Sequence, residues 1–226
     1  MASSNHIVLI CADRDGTINR DEDYYLGSNP HWKEQIEFLP GVIEGIRSLN
    51  AISNAKFVLV TNQSGVALAG PDFELLTEAA AREVNELIIS KLKDDGCRVD
   101  GYRFCPFVSS DYARKAALKG RQVDARYIND NARCLKPNIG MLGDAAEMFG
   151  ERLSEVRHKF MIGDRVTDVE TGLRAGCVSF FVRSSRTNKN REAEKIVEIQ
   201  DQFPDKVFVV SNLLEVAVQI KKAVDA

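Results

Sequence analysis

Positive charge is not in excess in this 226-residue chain: 30 Lys and Arg stand against 33 Asp and Glu, for a formal net charge of −3. That balance gives no electrostatic reason to expect nucleic acid as a partner, so an anionic ligand must be attracted by local charge. Long apolar runs are also missing, and no uncharged stretch approaches bilayer-spanning length, so no membrane partner is expected. No Lys or Arg precedes the first apolar run, Ile7–Ala12, and acids follow it at once, which argues against a secretory signal. Cysteine is sparse. Five residues, an odd number without a dense framework, point to a reducing compartment and a cytoplasmic location. There is no internal repeat, heptad run or low-complexity segment.

What is there is 44% hydrophobic and 28% charged, enough for one well-buried core, so a single domain over residues 1–226 is expected. Aliphatic strand candidates at Ile7–Ala12, Phe57–Val60, Phe160–Ile162, Val178–Val182 and Val207–Val210 alternate with helical stripes. Leu39, Val42, Ile43, Ile46 and Leu49 form one stripe, Leu76, Ala80, Val84, Leu87 and Ile88 a second, and Leu213, Val216, Ala217, Ile220 and Val224 a third, with Asn212 and Glu215 spaced as a capping pair. The alternation predicts an α/β fold: a Rossmann-like, doubly wound, mainly parallel sheet with helices on both faces. The interval from Asp15 to Thr61 leaves little room for a large cap domain.

Three of the strand candidates end in reactive side chains. The first runs into Asp13-Arg14-Asp15-Gly16-Thr17, the second into Thr61-Asn62-Gln63-Ser64-Gly65, and the third into Gly163-Asp164-Arg165-Val166-Thr167-Asp168. Between the last two, Leu135-Lys136-Pro137 places a lysine before an expected helix, because proline is favoured in a helix's first turn. The carboxyl ends of strands are where open α/β sheets bind ligands.

These four segments, in this order, resemble the motifs of the haloacid dehalogenase superfamily of phosphohydrolases. The strings Asp-Arg-Asp-Gly-Thr-Ile-Asn at 13–19, Thr61-Asn62-Gln63-Ser64-Gly65, and Lys136-Pro137 with Gly140-Met141 are similar to its capless branch of heptose bisphosphate and histidinol phosphatases, and the likeness runs from about Ile7 to about Arg183. The resemblance implies a Mg²⁺-dependent phosphomonoesterase acting on a small phosphorylated metabolite. D-glycero-D-manno-heptose 1,7-bisphosphate or a related sugar phosphate is foremost, with histidinol phosphate, or a non-catalytic phosphate-binding scaffold, as alternatives.

By the same resemblance Asp13 is the nucleophile that forms an aspartyl-phosphate, and Asp15 the general acid, with a proton affinity raised by neighbouring carboxylates. Thr61 and the backbone amide of Asn62 would donate to the transferring phosphoryl group, and Lys136 would place positive charge on its oxygens. Asp13, Asp164 and the backbone carbonyl of Asp15 would hold Mg²⁺. Asp168 either orients a metal-bound water from behind the ligands or caps a helix over Val169–Ala175. Asn19, Asp21 and Tyr24, with Asn62, Gln63, Ser64, Leu135 and Arg165, are candidate substrate contacts. For the loop around Tyr24 and Tyr25, packing on the body of the protein is equally open.

The chain also departs from these relatives. They often carry a four-ligand structural zinc site, of which only Cys105 and Cys134 remain; with no histidine nearby, zinc is not expected and two buried or free thiols are, although Cys97 is available for recruitment. Leu135 stands where the relatives usually have Arg, which removes a bidentate grip on substrate. Residues 107–131 are expected to be an extended loop insertion, whose Arg114, Lys115, Lys119, Arg121 and Arg126 either reach a distal phosphate or are simply solvated. The same choice stands for Arg183, Arg186, Lys189 and Arg191.

Overall fold

The computed structural model describes residues 6–21, 25–184 and 192–225. Tyr24, Arg186, Lys189 and Arg191 lie outside them. In chain order the elements are β1 (Val8–Ala12), α1 (Val42–Asn50), β2 (Ala55–Asn62), β3 (Leu68–Ala69), α2 (Glu78–Asp94), β4 (Gly101–Cys105), α3 (Ser110–Ala117), β5 (Gln122–Val123), α4 (Gly140–Glu147), β6 (His158–Gly163), α5 (Val166–Arg174), β7 (Val178–Val182), α6 (Glu192–Gln202), β8 (Val207–Val210) and α7 (Leu213–Asp225). Six strands form one sheet in the order β4-β2-β1-β6-β7-β8, every neighbouring pair parallel.

The order shows how the chain was wound. From β1 it moves outward through β2 to the β4 edge, then returns across the sheet to β6 on the other side of β1 and moves outward again. The reversal leaves a crevice at the carboxyl ends of β1 and β6, where the covering loops depart in opposite directions. Alternate residues of β1 serve opposite layers. Val8, Ile10 and Ala12 pack with Val42 and Ile46 of α1, Val84 and Ile88 of α2 and Val216 and Ile220 of α7. Leu9 and Cys11 pack with Met141, Leu142 and Ala145 of α4. A third cluster joins Val169 of α5, Phe181 of β7, Ile196 of α6 and Val207 of β8. A fully buried aliphatic or aromatic side chain of this kind contributes roughly 1.5–3 kcal/mol. The expected Rossmann-like class is thus observed, with no large cap among the described residues.

Four expectations need correction. The edge strand β4 had no counterpart among the aliphatic runs: its Gly-Tyr-Arg-Phe-Cys is mostly half-buried, since an edge strand pairs on one side only. Residues 107–131 are not a bare loop, because α3 and β5 lie inside them and β5 pairs antiparallel with β3. Pro137 does not open a helix: the Lys136–Pro137 peptide is cis and α4 starts only at Gly140. Finally, α5 begins at Val166, so Asp168 sits within its first turn rather than ahead of it.

Candidate active site

Neighbouring strands β2, β1 and β6 end side by side and deliver Thr61, Asp13 and Asp164 to one edge of the sheet. The Asp13 amide donates to the Ile162 carbonyl at 2.8 Å, carrying the β1–β6 pairing one step past the strand. The chain then turns back, with the Gly16 amide on the Asn19 carbonyl and the Ile18 amide on the Arg14 carbonyl, both at 2.8 Å. Gly16 has φ +87°, and a Cβ there would run into the Asp164 carboxylate. Only glycine satisfies both conditions, and its small size lets the two acidic strand ends approach.

The buried Lys136 ties this edge together. Its Nζ donates to Asp13 Oδ1 at 2.6 Å, Asp168 Oδ1 at 2.6 Å and the Val60 carbonyl at 3.0 Å, so all three ammonium protons have acceptors. The loop that carries it is held from several sides. Its amide donates to Asn62 Oδ1 at 3.2 Å and its carbonyl accepts from Asn62 Nδ2 at 3.5 Å. Gly140 closes the loop on the Arg133 carbonyl at 2.9 Å, an approach that a Cβ would block. Two residues before the lysine, Cys134 forms a disulfide with Cys105 at the end of β4, their Cα atoms 5.3 Å apart. The expected pair of free or buried thiols is therefore corrected: strand pairing of β4 with β2 brings Cys105 under the lysine loop. Cys97 is free and packs far from this pair, in the layer of α1 and α2.

Oxygens of Asp13, Asp164 and Asp168 lie within 4.8 Å of one another. Burial pushes the Asp13 carboxyl up to about 7, with Asp168 and Asp15 adding to the rise and Lys136 opposing it. Burial, then the charges of Asp13 and Asp168, drives Asp164 up as well. Asp164 Oδ2 accepts from the Ser184 hydroxyl at 2.9 Å, but its buried Oδ1 has no partner. A hard divalent cation suits this set: it would satisfy the orphaned oxygen and hold clustered carboxylates ionised in a place where burial otherwise favours their neutral forms. Both oxygens of Asp168 are engaged, one by Lys136 and the other by the Arg165 amide at 3.1 Å, so the residue touches the cluster and also closes the start of α5.

Asp15 differs from its expected state. Burial, the largest single influence, would raise its carboxyl, but the Arg14 charge together with hydrogen bonds from Arg14, Gln63 and Asn19 outweighs it and lowers the carboxyl below its usual range. Arg14 Nε and Nη2 meet Asp15 Oδ1 and Oδ2 at 3.0 and 2.6 Å. The raised proton affinity expected from neighbouring carboxylates is thus overturned by a cation one residue away. Arg14 is 1% exposed, the largest fully buried side chain described. Its remaining contacts are Gln63 Oε1 at 3.1 Å and Asn85 Oδ1 of α2 at 2.9 Å.

The other candidates divide. Gln63 Nε2 donates to Asp15 Oδ2 and Thr61 Oγ1, both at 2.8 Å, linking the ends of β1 and β2. Asn19 is buried and donates to Asp15 Oδ1 at 3.1 Å, so it faces the acid from inside the turn. Arg165 is held firmly charged: burial opposes that, but the carboxylates of Asp164, Asp13, Asp21 and Asp168 prevail. Ser64 hydrogen-bonds Tyr112 of α3, as does Tyr25, which also packs edge-on against Phe73. Leu135 packs into the layer containing Cys105 and Phe107 rather than standing clear of it. Most insertion cations are spent locally: Arg114 and Lys115 on Asp111, Arg126 on Asp124, and Arg121 on the Tyr25 hydroxyl at 3.3 Å.

Reading the motifs alone missed Arg14, Asn85 and Ser184. Only Asn85 carried a signal, as an amide on the buried face of α2 between Ala81 and Ile88.

A family model described as HAD-hydrolase-like matches residues 133–216. The D-glycero-β-D-manno-heptose-1,7-bisphosphate 7-phosphatase of Rhodopseudomonas palustris is 32% identical over 74% of this chain and 79% of its own length. The protein of the same name from Salmonella typhi is 28% identical over 96% of both chains. A crystal structure of a D,D-heptose 1,7-bisphosphate phosphatase from B. bronchiseptica, complexed with magnesium and phosphate, superposes with a TM-score of 0.66 at 26% identity, over 96% of this chain and 99% of that one. Agreement of fold, and of sequence along most of these chains, leads to one conclusion: the chain belongs to the haloacid dehalogenase-like phosphatases.

Proposed function

We propose that the chain is a Mg²⁺-dependent phosphomonoesterase that works through an aspartyl-phosphate on Asp13 and takes heptose 1,7-bisphosphate or a closely related sugar phosphate. The observation that carries this reading is the cluster of Asp13, Asp164 and Asp168, two of which, Asp13 and Asp168, hold Lys136 Nζ, with one buried Asp164 oxygen lacking a partner. The relatives' substrate supports the choice of sugar phosphate.

Asp13 and Asp164, with the Asp15 carbonyl, would hold Mg²⁺, which when bound neutralises the carboxylates and the phosphate oxygens facing them. Asp13 attacks phosphorus in line while the bond to the leaving oxygen breaks. Lys136 and the Thr61 hydroxyl donate to the phosphoryl oxygens, and Arg165 adds charge at the rim. Asp168 keeps Lys136 aimed and is not itself a metal ligand. Asp15, on the side of the leaving group, gives the departing oxygen its proton and later takes one from the attacking water. Because Arg14 keeps Asp15 ionised beforehand, Asp15 takes up its proton from solvent as the dianionic substrate binds, since the charge of the substrate raises the proton affinity of a neighbouring carboxylate.

The test is a panel of heptose bisphosphates, hexose phosphates and histidinol phosphate at equal concentration with Mg²⁺, repeated with Asp13→Asn in single-turnover mode. Metal-dependent release of phosphate, highest on a heptose bisphosphate and absent in the variant, is expected. A wild type that leaves the entire panel intact overturns the proposal.

A further inference from the structure

Asn85 is fully buried in α2, among Ala81, Val84 and Ile88. An amide in such a place lowers helix propensity and must be hydrogen-bonded to be tolerated there. Both its functional groups are used: Nδ2 donates to the Ala81 carbonyl at 2.7 Å, which fixes the amide's orientation, and Oδ1 accepts from Arg14 Nη1 at 2.9 Å. The guanidinium is therefore gripped at opposite ends. Asn85 holds Nη1, while Nε and Nη2 form a fork on Asp15 and Nη2 also reaches Gln63. Arg14 and Asp15 are adjacent in sequence, on a backbone that is turning, so their mutual contact alone does not set the direction of the carboxylate. Gln63, just past β2, and Asn19 hold the carboxylate directly, and α2, 71 residues from Arg14, adds a further reference that reaches Asp15 only through Arg14.

We infer that Asn85 is a positioning residue for protonation of the leaving group, acting through Arg14 on Asp15. This rests on the phosphatase reading above. In the first step the Asp13–phosphorus bond forms, the bond from phosphorus to the leaving oxygen breaks, and the Asp15 proton passes to that oxygen. An alkoxide needs the proton, whereas a p-nitrophenolate leaves without it. Loss of the anchor should therefore depend on the leaving group, which a general loosening of the fold would not.

The experiment compares kcat/KM, which reports the step that breaks the leaving-group bond and not the later hydrolysis common to all esters, at saturating Mg²⁺ for wild type and Asn85→Leu on the best alkyl phosphate of the panel and on p-nitrophenyl phosphate. Leucine keeps the volume and leaves Arg14 Nη1 without its acceptor. Expected is a fall of about tenfold or more on the alkyl ester and less than about threefold on the aryl ester. Asn85→Asp, which retains the acceptor oxygen, should bring the alkyl-to-aryl ratio back toward wild type. If the leucine variant does not fold, Asn85→Ala and Arg14→Lys are read by the same ratio. Equal losses on both esters, or an unchanged ratio in every variant, overturn the inference while leaving the phosphatase assignment intact. A wild type inert on every ester would instead sink that assignment.

Discussion

On the proposed reading, Lys136 serves stability and catalysis together. Its ammonium is buried between two carboxylates and a carbonyl, an arrangement whose desolvation cost is offset only while all three contacts persist. Lys136→Met leaves Asp13 and Asp168 facing each other without a cation, and the expected loss is about 3 kcal/mol of unfolding free energy, measured by denaturant titration. On the same protein kcat should fall about 10²–10³-fold, more than KM rises, if the lysine acts as proposed on charge that grows in the transition state. A variant with normal kcat would remove Lys136 from the chemistry. Leu135, next to it, is a packing residue in the structure, so Leu135→Arg should lower the thermal midpoint by forcing a charge into that layer, and a midpoint equal to wild type would show the arginine escapes to solvent.

Among the elements, buried strands were the most legible, because continuous aliphatic runs have few readings other than a core strand. Thus β1, β7 and β8 appear within a residue of their expected bounds. Edge and turn elements were not legible. Strand β4 is half-exposed and carries Tyr, Arg and Phe, so nothing in its local pattern separates it from a loop. The start of α4 is set by the approach of Gly140 to the Arg133 carbonyl, a tertiary contact that no proline rule contains. The strand-end acids could be named from their spacing. Their protonation could not, because that depends on which cation folds against which acid, as with Arg14 on Asp15. The Cys105–Cys134 bond joins two elements in the same unannounced way, and closing a loop of 29 residues should stabilise the oxidised protein by about 3 kcal/mol. A reductant is expected to lower the thermal midpoint of wild type and to leave that of Cys105→Ser unchanged. Equal behaviour of the two proteins would mean the bond carries no stability.

For the molecule as a whole, the acidic cluster makes stability depend jointly on pH and metal. Asp13 moves from 3.8 to about 7 on folding, and Asp164 moves in the same direction. Between those limits the folded chain keeps protons that the unfolded chain has released, so metal-free stability falls as pH rises through the window. Mg²⁺ competes with the same protons, so the rise in thermal midpoint on adding it should be larger at about pH 8 than at about pH 5.5. Asp164→Asn should flatten that difference, and a Mg²⁺ shift independent of pH would show that the ion binds elsewhere. The sheet order also divides the machinery along the chain: Asp13, Asp15 and Thr61 precede α3, whereas Lys136 and Asp164 follow β5. The connection between those two elements is open to attack, with Leu118 83% exposed. A protease that nicks it divides the candidate site between two polypeptides, yet the sulfur bridge spans the cut. Without thiol in the gel buffer the nicked enzyme should migrate as one species, and with it as two, neither of which carries all of the proposed reacting groups.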